Sequence, residues 1–92
     1  MKITIEYCDK SGWSYNRQAR SLRGELYMQL ESKFDEFNVE LIKYSGEKIN
    51  VFEVEVNDHL LVFSKRRTGR FPNSPYEVIK TINDAIDEKR LG

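Results

Sequence analysis

The chain opens on a change of hydrophobic period. Residues 2–7 alternate Lys2, Thr4 and Glu6 with Ile3, Ile5 and Tyr7, the two-residue repeat of a strand with one face in a core. From about Ser14 to Phe37 the apolar positions Ala19, Leu22, Leu26, Leu30, Phe34 and Phe37 recur at spacings of three and four, which predicts a long amphipathic helix. Residues 38–44 return to strand formers. A strand, a helix and a strand in that order close by a right-handed crossover, so the two strands lie parallel with the helix on one face. Gly24 sits mid-helix at a cost of about 0.5–1 kcal/mol relative to alanine, which implies a close neighbour or a bend.

Ser45-Gly46-Glu47-Lys48 reads as a loop, and residues 51–56 again alternate, with Phe52, Val54 and Val56 against Glu53 and Glu55. Asn57 and Asp58 tolerate the positive φ of a tight hairpin and lead into a fourth strand over 59–64. Lys65 to Ser74 reads as a basic loop, and Pro75 opens a final helix striped by Val78, Ile79, Ile82, Ala85 and Ile86. The order is β-α-β-β-β-α. A four-stranded mixed sheet with both helices on one face follows, an α/β two-layer sandwich of thioredoxin-like topology. With 92 residues, 39% hydrophobic and 33% charged, the expectation is one globular domain over residues 1–92. Fifteen basic residues balance fifteen acidic ones, which argues against a nucleic-acid partner. No apolar run reaches the ~20 residues of a membrane span and the start lacks a signal-peptide core, so a cytoplasmic protein without a membrane partner is expected.

Cys8 is the single cysteine, so an intramolecular disulfide and a cysteine-based zinc site are excluded, and His59 alone cannot supply a metal's ligands. It lies at the carboxyl end of a parallel strand and just ahead of a helix, where open α/β folds present functional groups; that position favours exposure. The unpaired N–H groups of the helix start stabilise a thiolate and lower the thiol's pKa. A buried structural cysteine is the competing reading, because cysteine is among the most buried residue types.

The surrounding Tyr7-Cys8-Asp9-Lys10-Ser11-Gly12-Trp13 is a Cys-x-x-Ser in a strand-loop-helix setting. Together with Phe52-Glu53-Val54-Glu55-Val56, Leu61, Ser64-Lys65 and Gly69-Arg70-Phe71-Pro72, it resembles the selenoprotein W-like (Rdx) redox family from Lys2 to about Ile86. That family opens with a strand ending in Tyr-Cys, followed by Cys-x-x-Cys or Cys-x-x-selenocysteine. The resemblance implies a thioredoxin-like fold and glutathione-linked thiol chemistry, with Cys8 as nucleophile, glutathione or partner-protein cysteines as reaction partners, and no tightly bound cofactor. Ser11 stands where the family has its second cysteine or selenocysteine, so a mixed disulfide on Cys8 needs an external thiol to resolve it; the Ser11 hydroxyl is a candidate hydrogen-bond donor to the thiolate. Gly46-Glu47-Lys48-Ile49-Asn50 replaces the small residues that family members often carry before the third strand, and Pro72 and Pro75 lie away from the cis-proline position of thioredoxins proper.

The basic loop has two readings: a solvated surface, or a cationic edge. With strand four antiparallel to strand one, its carboxyl end would bring Arg66, Arg67 and Arg70 to the Cys8 edge, where they and Lys10 would favour the thiolate and attract glutathione carboxylates. Trp13 reads as a packing or rim residue beside the cysteine, His59 as a surface residue at the far end of the sheet, and Arg17, Arg20 and Arg23 as a solvated stripe. The chain is expected to be a monomer, with a Cys8-linked dimer as a product of oxidation. The rival function is a non-catalytic adaptor that keeps the redox fold and binds through the basic loop and the uncovered sheet face.

Overall fold

The computed structural model describes residues 1–8 and 13–89. Its elements are β1 (Lys2–Cys8), α1 (Trp13–Leu30), a 3-10 turn (Glu31–Lys33), β2 (Asn38–Tyr44), β3 (Phe52–Val56), β4 (Leu60–Ser64), α2 (Lys65–Thr68) and α3 (Pro75–Asp87). The strands form one mixed sheet in the order β2-β1-β3-β4. β1 pairs parallel with β2, with Ile3 beside Val39 and Cys8 beside Tyr44, and antiparallel with β3, with Ile3 opposite Val56. β4 is antiparallel to β3 and therefore runs in the direction of β1. The expected antiparallel relation of strands one and four is corrected by this: the shared direction is what brings the carboxyl end of β4 to the Cys8 edge.

Alternation decides the layers. Ile3, Ile5, Tyr7, Val39, Phe52, Val54 and Val56 are buried against Tyr15, Ala19, Leu22, Leu26 and Leu30 of α1 and Val78, Ile79, Ile82 and Ala85 of α3. α1 packs over β1 and β2, α3 packs over β4, and the two helices touch. The result is the expected two-layer α/β sandwich.

α1 ends at Leu30, short of the predicted Phe37. Its 18 residues already span about 27 Å at 1.5 Å per residue, more than the roughly 23 Å of the seven-residue β1, so a longer helix would overshoot the sheet. Phe34 takes extended backbone instead (φ −133°, ψ 143°), and the apolar stripe folds back: Phe37 meets Tyr27 edge-on at 5.4 Å and stacks on Phe34 at 6.0 Å. Gly24 has neither expected cause, because no heavy atom lies within 4 Å of where a Cβ would sit and α1 runs unbroken through it. The predicted basic loop also begins as helix. Ser64 Oγ accepts the Arg67 N–H at 3.4 Å, and Gly69 in the left-handed region (φ 77°) donates its N–H to the Lys65 carbonyl at 2.7 Å, capping a single turn at both ends. Among the described residues, no helix is long and apolar enough to cross a membrane.

Candidate functional site

Cys8 closes β1 at the edge of the sheet from which α1, β3 and α2 begin. Contrary to the exposure expected of this position, its side chain has 0% of its surface accessible. Among the described residues the β2–β3 connection contacts it: the Cys8 N–H donates to the Val51 carbonyl at 2.8 Å, and the thiol donates to the Lys48 carbonyl at 3.6 Å. The burial alternation of β1 ends here, with Tyr7 and Cys8 both buried in the core cluster. A Cβ at Gly46 would meet the far end of the Tyr44 ring, which would have to shift to admit it. Lys10 and Ser11, expected beside the thiol, lie outside the described residues.

On the helix side, Tyr7 is buried and its hydroxyl accepts from Asn16 Nδ2 at 2.9 Å, tying β1 to the first turns of α1. An aromatic cluster then holds the edge together. Phe71 meets Tyr15 at 4.8 Å and Phe52 at 5.2 Å, and Phe52 meets Phe63 at 6.3 Å. Lys65 caps this cluster, its ammonium 5.5 Å from the Tyr15 ring and 5.3 Å from that of Phe71. Trp13 is not packed: it is 71% exposed, with the Arg17 guanidinium 5.1 Å above its ring. Of its two expected roles, the structure keeps the rim and not the packing.

The basic segment divides in its roles. Arg70 makes a two-pronged pair with Glu77, Nη1 to Oε1 at 2.9 Å and Nη2 to Oε2 at 2.8 Å, and also donates to the Phe71 carbonyl. The Glu77 carboxyl is held below the ordinary range by those guanidinium bonds first and by the Asn73 N–H second. Arg70 is therefore structural in this geometry, closing the 69–74 loop onto α3. Arg66 and Arg67 are exposed and form no ion pair with another described residue; they line a hollow of about 400 Å³ with Glu53, Leu61 and Ser64 on the helix-free face. Ser64 Oγ donates to Glu53 at 2.7 Å, which anchors the base of this hollow.

Charge is polarised along the strands although the chain is neutral overall. The described residues at the Cys8 edge carry Lys48, Lys65, Arg66, Arg67 and Arg70 against Glu47 and Glu77, whereas the opposite edge carries Glu31, Asp35, Glu36, Asp58, Asp87 and Glu88 against Lys2, Lys33 and Lys89. His59 sits exposed at that opposite edge, as expected.

The family model of the Rdx family matches residues 2–84. The chain belongs to the Rdx family. A search of curated proteins returns no match. Among solved structures, a selenoprotein W-related protein from Vibrio cholerae is similar with a TM-score of 0.72 and 25% identity, over 92% of this chain and 95% of that one. A protein from Bordetella parapertussis is similar with a TM-score of 0.72 and 22% identity, over 90% of this chain and 94% of that one. This Rdx protein therefore has the thioredoxin-like arrangement, and its family suggests redox work. Sequence reasoning had no sign of the Lys48 carbonyl over Cys8, since a backbone acceptor in a loop leaves no side-chain pattern. The exposed Ile49 beside it had one: a large apolar residue in an otherwise polar connection.

Proposed function

We propose that this Rdx protein is a monothiol redox protein of the cytoplasm in which Cys8 exchanges mixed disulfides with glutathione and with partner-protein cysteines. The observation that carries this reading is the seat of Cys8, at the carboxyl end of a parallel strand and on the same edge as the exposed Arg66 and Arg67. The Cys8 thiolate attacks the partner-side disulfide of a glutathionylated protein at the glutathione sulfur. The Cys8–glutathione disulfide forms as the partner's thiolate leaves, and a second glutathione thiolate then attacks it, releasing oxidised glutathione and restoring Cys8. Two glutathione-derived sulfurs end as a disulfide, and the partner cysteine ends reduced. Ser11, in the second position of the motif, cannot perform the second attack, which is why an external thiol does so. Because Cys8 is enclosed, each exchange requires the thiol to be uncovered, which breaks its bond to the Lys48 carbonyl.

That enclosure also favours the second reading, an adaptor that retains the fold without the chemistry. Incubation with oxidised glutathione followed by mass spectrometry separates the two. Monothiol exchange adds one glutathione per chain, removed by excess reduced glutathione and absent in Cys8→Ser. A chain that stays unmodified while a small alkylating reagent also fails to reach Cys8 at neutral pH is an adaptor.

A further inference from the structure

The Cys8 edge gathers exposed apolar surface as well as positive charge. Of the exposed large apolar side chains among the described residues, Trp13, Ile49 and Tyr76 lie in the segments that meet at this edge, while Met28 and Ile42 lie elsewhere. Trp13 and Ile49 are each 71% exposed: one opens α1, the other follows Lys48, whose carbonyl accepts from the Cys8 thiol. Rings and branched chains of this size gain by leaving water, so their exposed surface is available to a partner. The cations interleave with them. Arg17 covers one face of Trp13, and Arg66 and Arg67 are left without a described carboxylate partner.

We infer that this rim is a docking surface for an acidic polypeptide segment with apolar side chains, presented to Cys8 by a partner protein. Charge complementarity selects the occupant: Arg17, Arg66, Arg67 and Lys48 face outward at one pole of a neutral molecule whose other pole is acidic, so an anionic chain is drawn to this edge and repelled from the opposite one. Trp13 and Ile49 then supply the contact area that charge alone lacks. The surface deepens the redox reading by naming the kind of protein that would bring its cysteine to Cys8, but docking itself needs no reactive sulfur.

Labelled octapeptides with a central serine test it by fluorescence anisotropy against the full chain: one flanked by alternating glutamate and leucine, one by lysine and leucine, one by glutamate and glycine, together with an octamer of uridylate. The expected order at low salt is glutamate–leucine about tenfold tighter than each of the others, with the advantage over lysine–leucine collapsing at high salt. Arg66→Ala with Arg67→Ala, and separately Trp13→Ala with Ile49→Ala, lower glutamate–leucine affinity about tenfold, and Asp35→Ala with Glu36→Ala leaves it unchanged. Circular dichroism confirms that each variant is folded. Equal binding of acidic and basic peptides, tighter binding of the uridylate octamer, or full affinity in both edge variants overturns the proposal. Because the probes carry no cysteine, a chain that binds the acidic peptide yet takes up no glutathione loses the redox reading and keeps the docking surface.

Discussion

The two edges of the sheet close in opposite ways. At the edge away from Cys8, β3 turns into β4 through Asn57 and Asp58, both left-handed (φ 53° and 62°), and the start of β1 completes the turn. Asn57 Oδ1 accepts the Lys2 N–H at 3.0 Å and Asn57 donates its own N–H to the Lys2 carbonyl at 2.8 Å. At the Cys8 edge the strands are joined by long connections, 45–51 and 65–74, that rely on tertiary partners: an aromatic cluster, a cation over two rings and the Arg70–Glu77 pair. A short turn whose groups are met by the end of the adjacent strand costs little to hold. Long connections held by side chains leave room for a thiol, its cover and an outward-facing rim, and so the chemistry-bearing residues gather where local rules are weakest.

The strongest way to break this contrast is to remove the packing that the Cys8 edge depends on. Phe52 is fully buried and touches both Phe63 and Phe71. Phe52→Ala is expected to cost about 3–5 kcal/mol, read from the shift of the urea midpoint. The half-buried Phe37 at the other edge should cost only about 1–2 kcal/mol on the same change, since less of its surface leaves water on folding. Equal losses would mean that the aromatic cluster does not hold the Cys8 edge.

Backbone strain gives a finer comparison, with one left-handed residue taken from each edge. Ala in place of Gly69 meets no atom within 4 Å, so its cost is the conformational penalty of φ 77°, about 1–2 kcal/mol. Asn57→Ala keeps the Cβ that the native residue already carries, so its backbone penalty is smaller, but it leaves the Lys2 N–H without its acceptor, at about 1–3 kcal/mol, and should be the larger loss. Urea titration of the two variants checks the order. A larger loss at Gly69 would show that the Cys8-edge connections bear more on stability than the hairpin turn.

These contrasts also explain what could be read from sequence. The Asn57-Asp58 turn was legible because left-handed backbone selects residue types locally. The strand faces were legible because burial on one side enforces a period of two along Ile3, Ile5, Tyr7 and along Phe52, Val54, Val56. The helix end was not, because the stripe continues through Phe34 and Phe37 while the length of the sheet, a tertiary quantity, stops α1 at Leu30. The α2 turn had its caps in plain view, Ser64 and Gly69, but the run of basic residues between them reads more readily as loop. At the candidate site, Cys8 and its edge were legible from topology, whereas its enclosure depends on a carbonyl of the 45–51 connection and the commitment of Arg70 depends on Glu77 seven residues away.

The smallest expected effect is also the most local, and it concerns pH. The Glu77 carboxyl, lowered by Arg70 and then by the Asn73 N–H, stabilises the fold above its unfolded pKa, and that contribution fades as pH falls through the lower folded value. The pair is largely solvated, so global stability should move little. The local consequence is sharper, because Glu77 ties residues 70 and 73 to α3 through three bonds, whereas the carboxylate of the hairpin turn, Asp58, makes one longer pair, with Lys2 at 3.3 Å, and the turn's backbone is held by Asn57. Amide exchange at residues 69–74, corrected for the intrinsic pH dependence, should therefore quicken on acidification more than exchange at 57–59. Glu77→Gln should show the faster exchange already at neutral pH and lose the acid response. Parallel pH profiles for the two edges in the unmodified chain would mean that the Arg70–Glu77 pair follows the loop's conformation instead of holding it.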